Sequence, residues 1–287
     1  MINKNSALID IMGGLGNQLH QISFAKYLED NGFEVFISTD WFNRHNFNDG
    51  TTKRDLEINI EDFNLNIANN KILNKFQRLD NISNLKFLKR LYNSRFNFIY
   101  KLHEGNSFKE GKTYSYNRFT GYWQDPRYLN DSKEFLKNGL SKNSIYKNKI
   151  KNKQTESNTL IHIRKGDYIG WNEDLPDKYF INALSRLKSD NESIGYDIFT
   201  DEQNINKNLD LYKNAKNIFN NLDEKPLKLL SQMKDYKYFI ISNSSLSFFA
   251  AYLTESTNSI TLYPDPWFKS IEHIPHKNLN WVPINYE

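Results

Sequence analysis

Cysteine is absent from the 287 residues, so disulfides, a thiol nucleophile and thiolate metal sites are excluded together. The lack also fits a reducing compartment. Nowhere do roughly 18 apolar residues run together, which leaves no candidate membrane span. The opening MINKNSALIDIMGG has only a short apolar run before its glycines, so no secretory leader is expected and the cytoplasm is the default location. Charge of one sign is scarcely in excess: 38 Lys and Arg against 34 Asp and Glu give +4, too little to indicate a nucleic-acid partner. Metal ligands are sparse as well. His20, His45, His103, His162, His273 and His276 lie scattered, and no Asp-x-Asp pair of the kind that holds a divalent ion under a nucleotide diphosphate occurs. No metal is therefore expected.

What is present is core material. Hydrophobic residues make up 38% of the chain, with 20 Phe and 17 Tyr, enough to exclude a disordered protein. The length suits two domains. Residues 7–12 read as a buried strand broken by Gly13-Gly14-Leu15-Gly16, and Leu19, Ile22, Ala25 and Leu28 then recur at helical spacing up to Asn31-Gly32. Residues 33–38 read as a second strand. From 159 the alternation restarts: strands at 159–164, 196–200, 237–242 and 259–263, and helices at 178–189, 226–234 and 244–253. Strands alternating with helices predict parallel sheets with right-handed crossovers. The polar, Lys/Asn-rich stretch 138–158 reads as a linker between a domain at 1–145 and one at 155–287. Two such sheets are expected to face each other across a cleft at the carboxyl ends of their strands, where ligands of α/β folds bind.

Residues 71–101 differ from the rest, with eight cations against the one anion Asp80 and apolar residues at helical spacing. A basic helix pair could touch a membrane surface or an anionic acceptor. Packing of its apolar face on the first domain explains the pattern equally and is the preferred reading.

Four strand ends carry residues suited to a nucleotide. Gly13-Gly14-Leu15-Gly16-Asn17-Gln18 combines glycines for close backbone approach with a helix start, but lacks the dinucleotide and Walker spacings; a tight turn capped by Asn17 is the plain alternative. In His162-Ile163-Arg164-Lys165-Gly166-Asp167-Tyr168, alternation sets His162 and Arg164 on one face of a strand end. Arg164 offers a planar fork for a diphosphate, and Asp167 could hold it or meet substrate. A structural salt bridge is the alternative. In Phe199-Thr200-Asp201-Glu202 a carboxylate could accept from the N1–H and amine of guanine, or could simply cap a helix. Ser242-Asn243-Ser244-Ser245 opens a helix with small hydroxyl residues suited to phosphate, and equally suited to capping.

Taken together, GGLGNQ, HIRKGDY, FTDE and ISNSSLSFFAAYL resemble glycosyltransferase family 11, the α-1,2-fucosyltransferases, and GYWQDPRYL (121–129) and YPDPWF (263–268) fall where that family has similar segments. The resemblance implies two Rossmann-like domains in a GT-B-like arrangement, 1–145 on the acceptor side and 155–287 binding the GDP-sugar. It implies an inverting transfer of fucose from GDP-fucose, with no metal or other cofactor, to the 2-hydroxyl of a galactose-type acceptor. The implied acceptor is an oligosaccharide or lipid-linked precursor of a bacterial surface glycan such as a lipopolysaccharide O-antigen. That setting implies a cytoplasmic enzyme with peripheral contact at the inner face of the membrane. On the same resemblance Arg164 binds diphosphate, His162 lies against guanosine, Asp201 reads guanine, and Asn243, Ser244 and Ser245 contact phosphate. Gly14, Gly16 and Asn17 meet the sugar and leaving phosphate. Asp167, Glu173 and Asp174 all follow the HIR strand on the loop expected to border the cleft, where a carboxylate could take the hydroxyl proton, and the resemblance favours Glu173 by its place after the Asp. Three positions depart from the family pattern: Lys165 for a second Arg, His20 for Phe, and Phe248-Phe249 for a Trp pair. Two other readings stay open: transfer from another GDP-sugar, mannose or a deoxysugar, and a non-catalytic nucleotide-sugar-binding or membrane-peripheral module.

Overall fold

The computed structural model describes residues 5–43, 53–76, 101–107, 116–147, 157–189, 194–220, 222, 224–254, 256, 258–273 and 279–286. The chain divides into two compact units, Met1–Asn143 and Ser144–Glu287.

The first unit begins with β1 (Ser6–Asp10), buried at every position, as the uniformly apolar run ALI requires when a parallel strand is covered on both faces. α1 (Leu15–Asp30) and β2 (Glu34–Ser38) complete the expected β-loop-α-β unit. β3 (Asn66–Ile67), β4 (Lys101–Glu104) and β5 (Tyr116–Thr120) join them in a sheet ordered β3-β2-β1-β5-β4, with every pair parallel. α1 packs through Leu19, Ile22, Phe24 and Leu28, all fully buried. The Phe24 ring stacks on Trp123 at 4.5 Å between centroids and meets Phe119 edge-on at 5.1 Å, fixing the chain after β5 against the helix.

The second unit runs through β6 (Thr159–Ile163), α4 (Gly166–Gly170), α5 (Asp177–Ser189), β7 (Tyr196–Thr200), β8 (Asn217–Asn220), α7 (Pro226–Met233), β9 (Tyr238–Ile240), α8 (Ser245–Tyr252), β10 (Ile260–Asp265) and β11 (Val282–Asn285). The remaining labelled helices are α2 (Ser132–Ser141), α3 (Ser144–Lys147) and α6 (Asp210–Lys213). The sheet is ordered β11-β10-β9-β6-β7-β8 and is parallel throughout. Read from β6, this is the doubly wound order 3-2-1-4-5-6 of a Rossmann unit. Ile161, Ile163, Ile198 and Ile240 bury one face under Tyr179, Phe180, Ala183 and Leu187 of α5. Alternation puts Leu160 and His162 on the other face.

Three expectations need correction. Residues 138–158 are not simply a linker: 138–141 finish α2, where Leu136 and Leu140 are buried, and α3 follows with Tyr146 buried. Within 71–101, residues 71–76 are helical and Phe76 packs on Leu8 and Ala68, whereas Lys101 begins a strand; 77–100 lie outside the described residues. Strands β3, β4, β5, β8 and β11 were not anticipated. No helix among the described residues is long and apolar enough to cross a membrane.

Candidate active site

In a doubly wound sheet, the strand order reverses between the first and fourth strands, and the loops leaving those two strands splay apart. Here those strands are β6 and β9. Their carboxyl ends carry His162 to Asp167 and Ile241 to Ser245, and β7 beside them ends at Thr200-Asp201. Three of the four singled-out motifs therefore converge at one edge.

Arg164 sits between two carboxylates. One terminal nitrogen donates to Asp167 at 2.6 Å and the other pairs with Asp201. Its guanidinium lies over the Tyr168 ring, 5.5 Å from the centroid. An arginine has five N–H donors, and among the described residues only these two bonds are made. The group is held in place with donors to spare. Asp201 also accepts from the backbone N–H of Lys165 at 2.7 Å. Each of its oxygens thus carries one bond and keeps a second lone pair. The close approach depends on Gly166, since a Cβ there would lie 2.6 Å from Asp201 Oδ2.

His162 is buried, with Nδ1 2.9 Å from Ser242 Oγ. Burial, reinforced by the positive charge of Arg164, depresses its pKa from 6.5 to about 3. It is a neutral imidazole at any working pH. Tyr168 donates to the Asn243 carbonyl at 3.1 Å, and burial pushes its pKa up to about 12.

Ser244 takes the N-cap position of α8, yet no side chain caps the helix, so its first N–H groups are left open beside Ser245. Asn243 is buried; its amide donates to the Glu173 carbonyl at 2.8 Å and its Oδ1 has no partner. It braces the loop from within.

Glu173 is placed differently from expectation. It is 5% exposed, and its two oxygens accept from the backbone N–H groups of Lys269 (2.7 Å) and Ser270 (2.9 Å). A buried carboxylate so engaged ties two loops together and is badly placed to take a proton from substrate. Lys165 likewise turns its ammonium to Asp174 (3.2 Å) and the Leu175 carbonyl (2.7 Å).

The first unit has its own open helix start. Gly13 has φ +75, a conformation that favours glycine, and Gly14 is the N-cap of α1 without a side-chain cap. A Cβ on Gly14 would meet nothing within 4 Å, so the space beside it is empty. Gly16 is buried in the first helical turn. Asn17 Oδ1 accepts from Gln124 at 2.8 Å. Gln18 donates to the carbonyls of Gly13 and Asp55, both at 2.9 Å, and accepts from Glu57 N–H. Gln21 donates to the Gly121 carbonyl and accepts from Met12 N–H. His20, 2% exposed, is inside the fold.

Sequence reasoning missed one group here. Asp10, ending β1, holds Arg118 through Nε (2.8 Å) and Nη2 (3.1 Å) and accepts from Thr120 at 2.6 Å. Its partners come from β5, whose pairing with β1 no local pattern announces. Among the described residues, no three His, Asp or Glu side chains group as a metal site would need.

The fold and these loop ends define a parallel α/β protein with two Rossmann-type units, the second presenting an arginine and an open helix start at its switch point. Residues 8–285 match glycosyl transferase family 11, and the chain belongs to that family. An alpha-1,2-colitosyltransferase of Escherichia coli is 30% identical over 188 residues, covering 58% of this chain and 62% of the relative, so the match spans less than two thirds of that protein. Among solved structures, an Arabidopsis thaliana FUT1 mutant in complex with GDP superimposes with a TM-score of 0.50 at 11% identity, over 93% of this chain and 73% of the other.

Proposed function

We propose that this protein is an inverting glycosyltransferase that moves L-fucose from GDP-fucose to the 2-hydroxyl of a galactose-type acceptor in a bacterial surface glycan, without a metal. The observation that carries the reading is Arg164, fixed by two carboxylates at the switch point with donors unused. A departing GDP gains negative charge as the anomeric carbon becomes oxocarbenium-like, and a preorganised guanidinium stabilises that charge where it develops. The open start of α8, with Ser244 and Ser245, takes the other phosphate oxygens. Asp201 retains a lone pair on each oxygen for guanine N1–H and its amine, and His162, neutral near pH 7, lies beside the nucleoside. Asp167 keeps Arg164 oriented and takes the proton released by the attacking acceptor hydroxyl, and Glu173 keeps the loop folded. Gly14, Gly16 and Asn17 contribute toward the sugar.

A second reading has specific support: the relative named alpha-1,2-colitosyltransferase favours a GDP-deoxysugar other than fucose as donor. One experiment separates the readings. Nucleoside diphosphate release is followed in EDTA with GDP-fucose, GDP-colitose, GDP-mannose and UDP-galactose, each with lactose and with N-acetyllactosamine. Acceptor-stimulated turnover of GDP-fucose alone supports the proposal, and turnover of GDP-colitose alone renames the donor. Absence of any GDP binding defeats both.

A further inference from the structure

The segment after α4 is held unusually firmly for a surface loop. Trp171 and Glu173 donate their N–H groups to the Tyr168 carbonyl, and Asn172 donates to Ile169. Asn172 has φ 56, which turns the chain inward so that Glu173 reaches Lys269 and Ser270. Asn243 braces the same point by donating to the Glu173 carbonyl. Despite this tethering, Trp171 is 60% exposed, flanked in sequence by Ile169 at 61%, and Ile271 on the tied loop is 55% exposed. Burial would stabilise a large indole considerably, so an indole pinned outward is the mark of a surface that meets something.

The rings form a path. Tyr168 lies under the Arg164 guanidinium, and Trp171 is 5.7 Å from Tyr168 with a 44° tilt. On the other side Phe268 is 6.5 Å from Tyr168, with His273 stacked 5.8 Å beyond it. The exposed indole is therefore one ring away from the group assigned to the leaving diphosphate.

We propose that Trp171, with Ile169 and Ile271 at its rim, is the stacking surface for the acceptor, a galactose-type pyranoside whose C–H face lies on the indole. The proposal rests on the transfer reading above and adds to it the residue that receives the acceptor. Charge favours a sugar over a bilayer. Segments 164–174 and 267–273 carry Asp167, Glu173, Asp174 and Glu272 against Arg164, Lys165 and Lys269, so they lack the basic excess that an anionic membrane surface selects.

The test uses the full chain loaded with GDP, with methyl β-galactoside as probe in saturation-transfer NMR, for the parent, Trp171→Ala and Trp171→Phe. Expected is clear transfer to the pyranoside ring protons in the parent. It should fall at least fivefold in Trp171→Ala and be largely kept in Trp171→Phe. Thermal stabilisation by GDP should be the same in all three. No transfer in the parent, or undiminished transfer in Trp171→Ala, overturns the proposal. So does a loss of GDP stabilisation in Trp171→Ala, which would give the ring to the nucleobase. Co-sedimentation with phosphatidylglycerol vesicles that depends on Trp171, with no effect on the galactoside, overturns it in favour of a lipid surface. If the parent itself gains no stability from GDP, the donor reading fails separately, and the galactoside result still stands by itself.

Discussion

The two units solve the same local problem, a loop leaving a central parallel strand and opening a helix, with opposite chemistry. In the second unit the loop is held by charge: Arg164 between Asp167 and Asp201, Lys165 on Asp174, Glu173 on two backbone amides. In the first it is held mostly by neutral amides. Gln18 spends all its bonds on three backbone groups, Gln21 spans Met12 and Gly121, and Asn17 meets Gln124. An ion pair, Asp10 with Arg118, lies a few residues upstream of the glycines. Charged groups held in a partly buried site suit a charged ligand such as a diphosphate, because their field is little screened there. A neutral amide frame suits a loop that must keep its shape near an uncharged ligand.

The sharpest way to break this comparison is Arg164→Ala. If charge does the work in the second unit, kcat/KM falls about 10²- to 10³-fold, far more than the modest loss of stability from unpairing Asp167 and Asp201 would bring, as is usual when one group facing developing charge is removed. Near-normal turnover would remove the basis of the functional proposal.

Next in size is Gln18→Leu, which leaves the carbonyls of Gly13 and Asp55 and the N–H of Glu57 without their partner. A loss of about 2 kcal/mol in denaturant unfolding is expected, chiefly from the buried Gly13 carbonyl, since Asp55 is exposed and Glu57 half-buried. A change below about 0.5 kcal/mol, the size of an ordinary surface substitution, would show that the amide frame is incidental.

Gly166→Ala probes the contact between the two charged motifs. The added Cβ would sit 2.6 Å from Asp201 Oδ2, so the carboxylate must move. GDP affinity measured by calorimetry should weaken about tenfold, or about 1.4 kcal/mol, with a smaller change in melting temperature. Unchanged affinity would mean that Asp201 does not touch the nucleotide.

The effect that is smallest near neutral pH is the pH dependence from His162. Its folded pKa of about 3 lies below the ordinary 6.5, so above pH 6.5 both states are neutral and stability is full. As pH falls from 6.5 toward 3, the unfolded chain takes the proton and the folded one does not. Stability then drops by up to about 1.4 kcal/mol per pH unit. Chemical denaturation at stepped pH should show this slope in the parent and lose it in His162→Gln. An equal slope in both would mean that the imidazole is not buried in neutral form.

Legibility followed the range of the interactions. β1, α1, β6, α5 and α8 could be read because a run of buried apolar residues, or a helical stripe, reports its own environment. β5 could not. It contains Asn117 and Arg118, and its place beside β1 comes from pairing across more than a hundred residues. β11 carries Pro283, tolerable only because it lies at a sheet edge, and β8, on the opposite edge, is at most half buried. At the site, His162, Arg164 and Asp201 stood out because each ends a strand with a residue that packing alone does not call for. Glu173 was singled out by the resemblance instead, not by a strand end. Its place after Asp167 in the loop suggested chemistry, but its partners lie nearly a hundred residues further along the chain.

The sequence by itself determined the two-unit α/β plan, the strand-end motifs and the family, because each is written in residues adjacent along the chain. The tertiary structure alone decided which strands neighbour one another, and so which motifs meet at the switch point. It also decided that Asp201 and Asp167 share Arg164, that Glu173 faces inward and that Trp171 faces water. The physical reason is that hydrogen-bond partners and burial are properties of the assembled sheet: a carboxylate reads the same in sequence whether two backbone amides or a substrate will meet it.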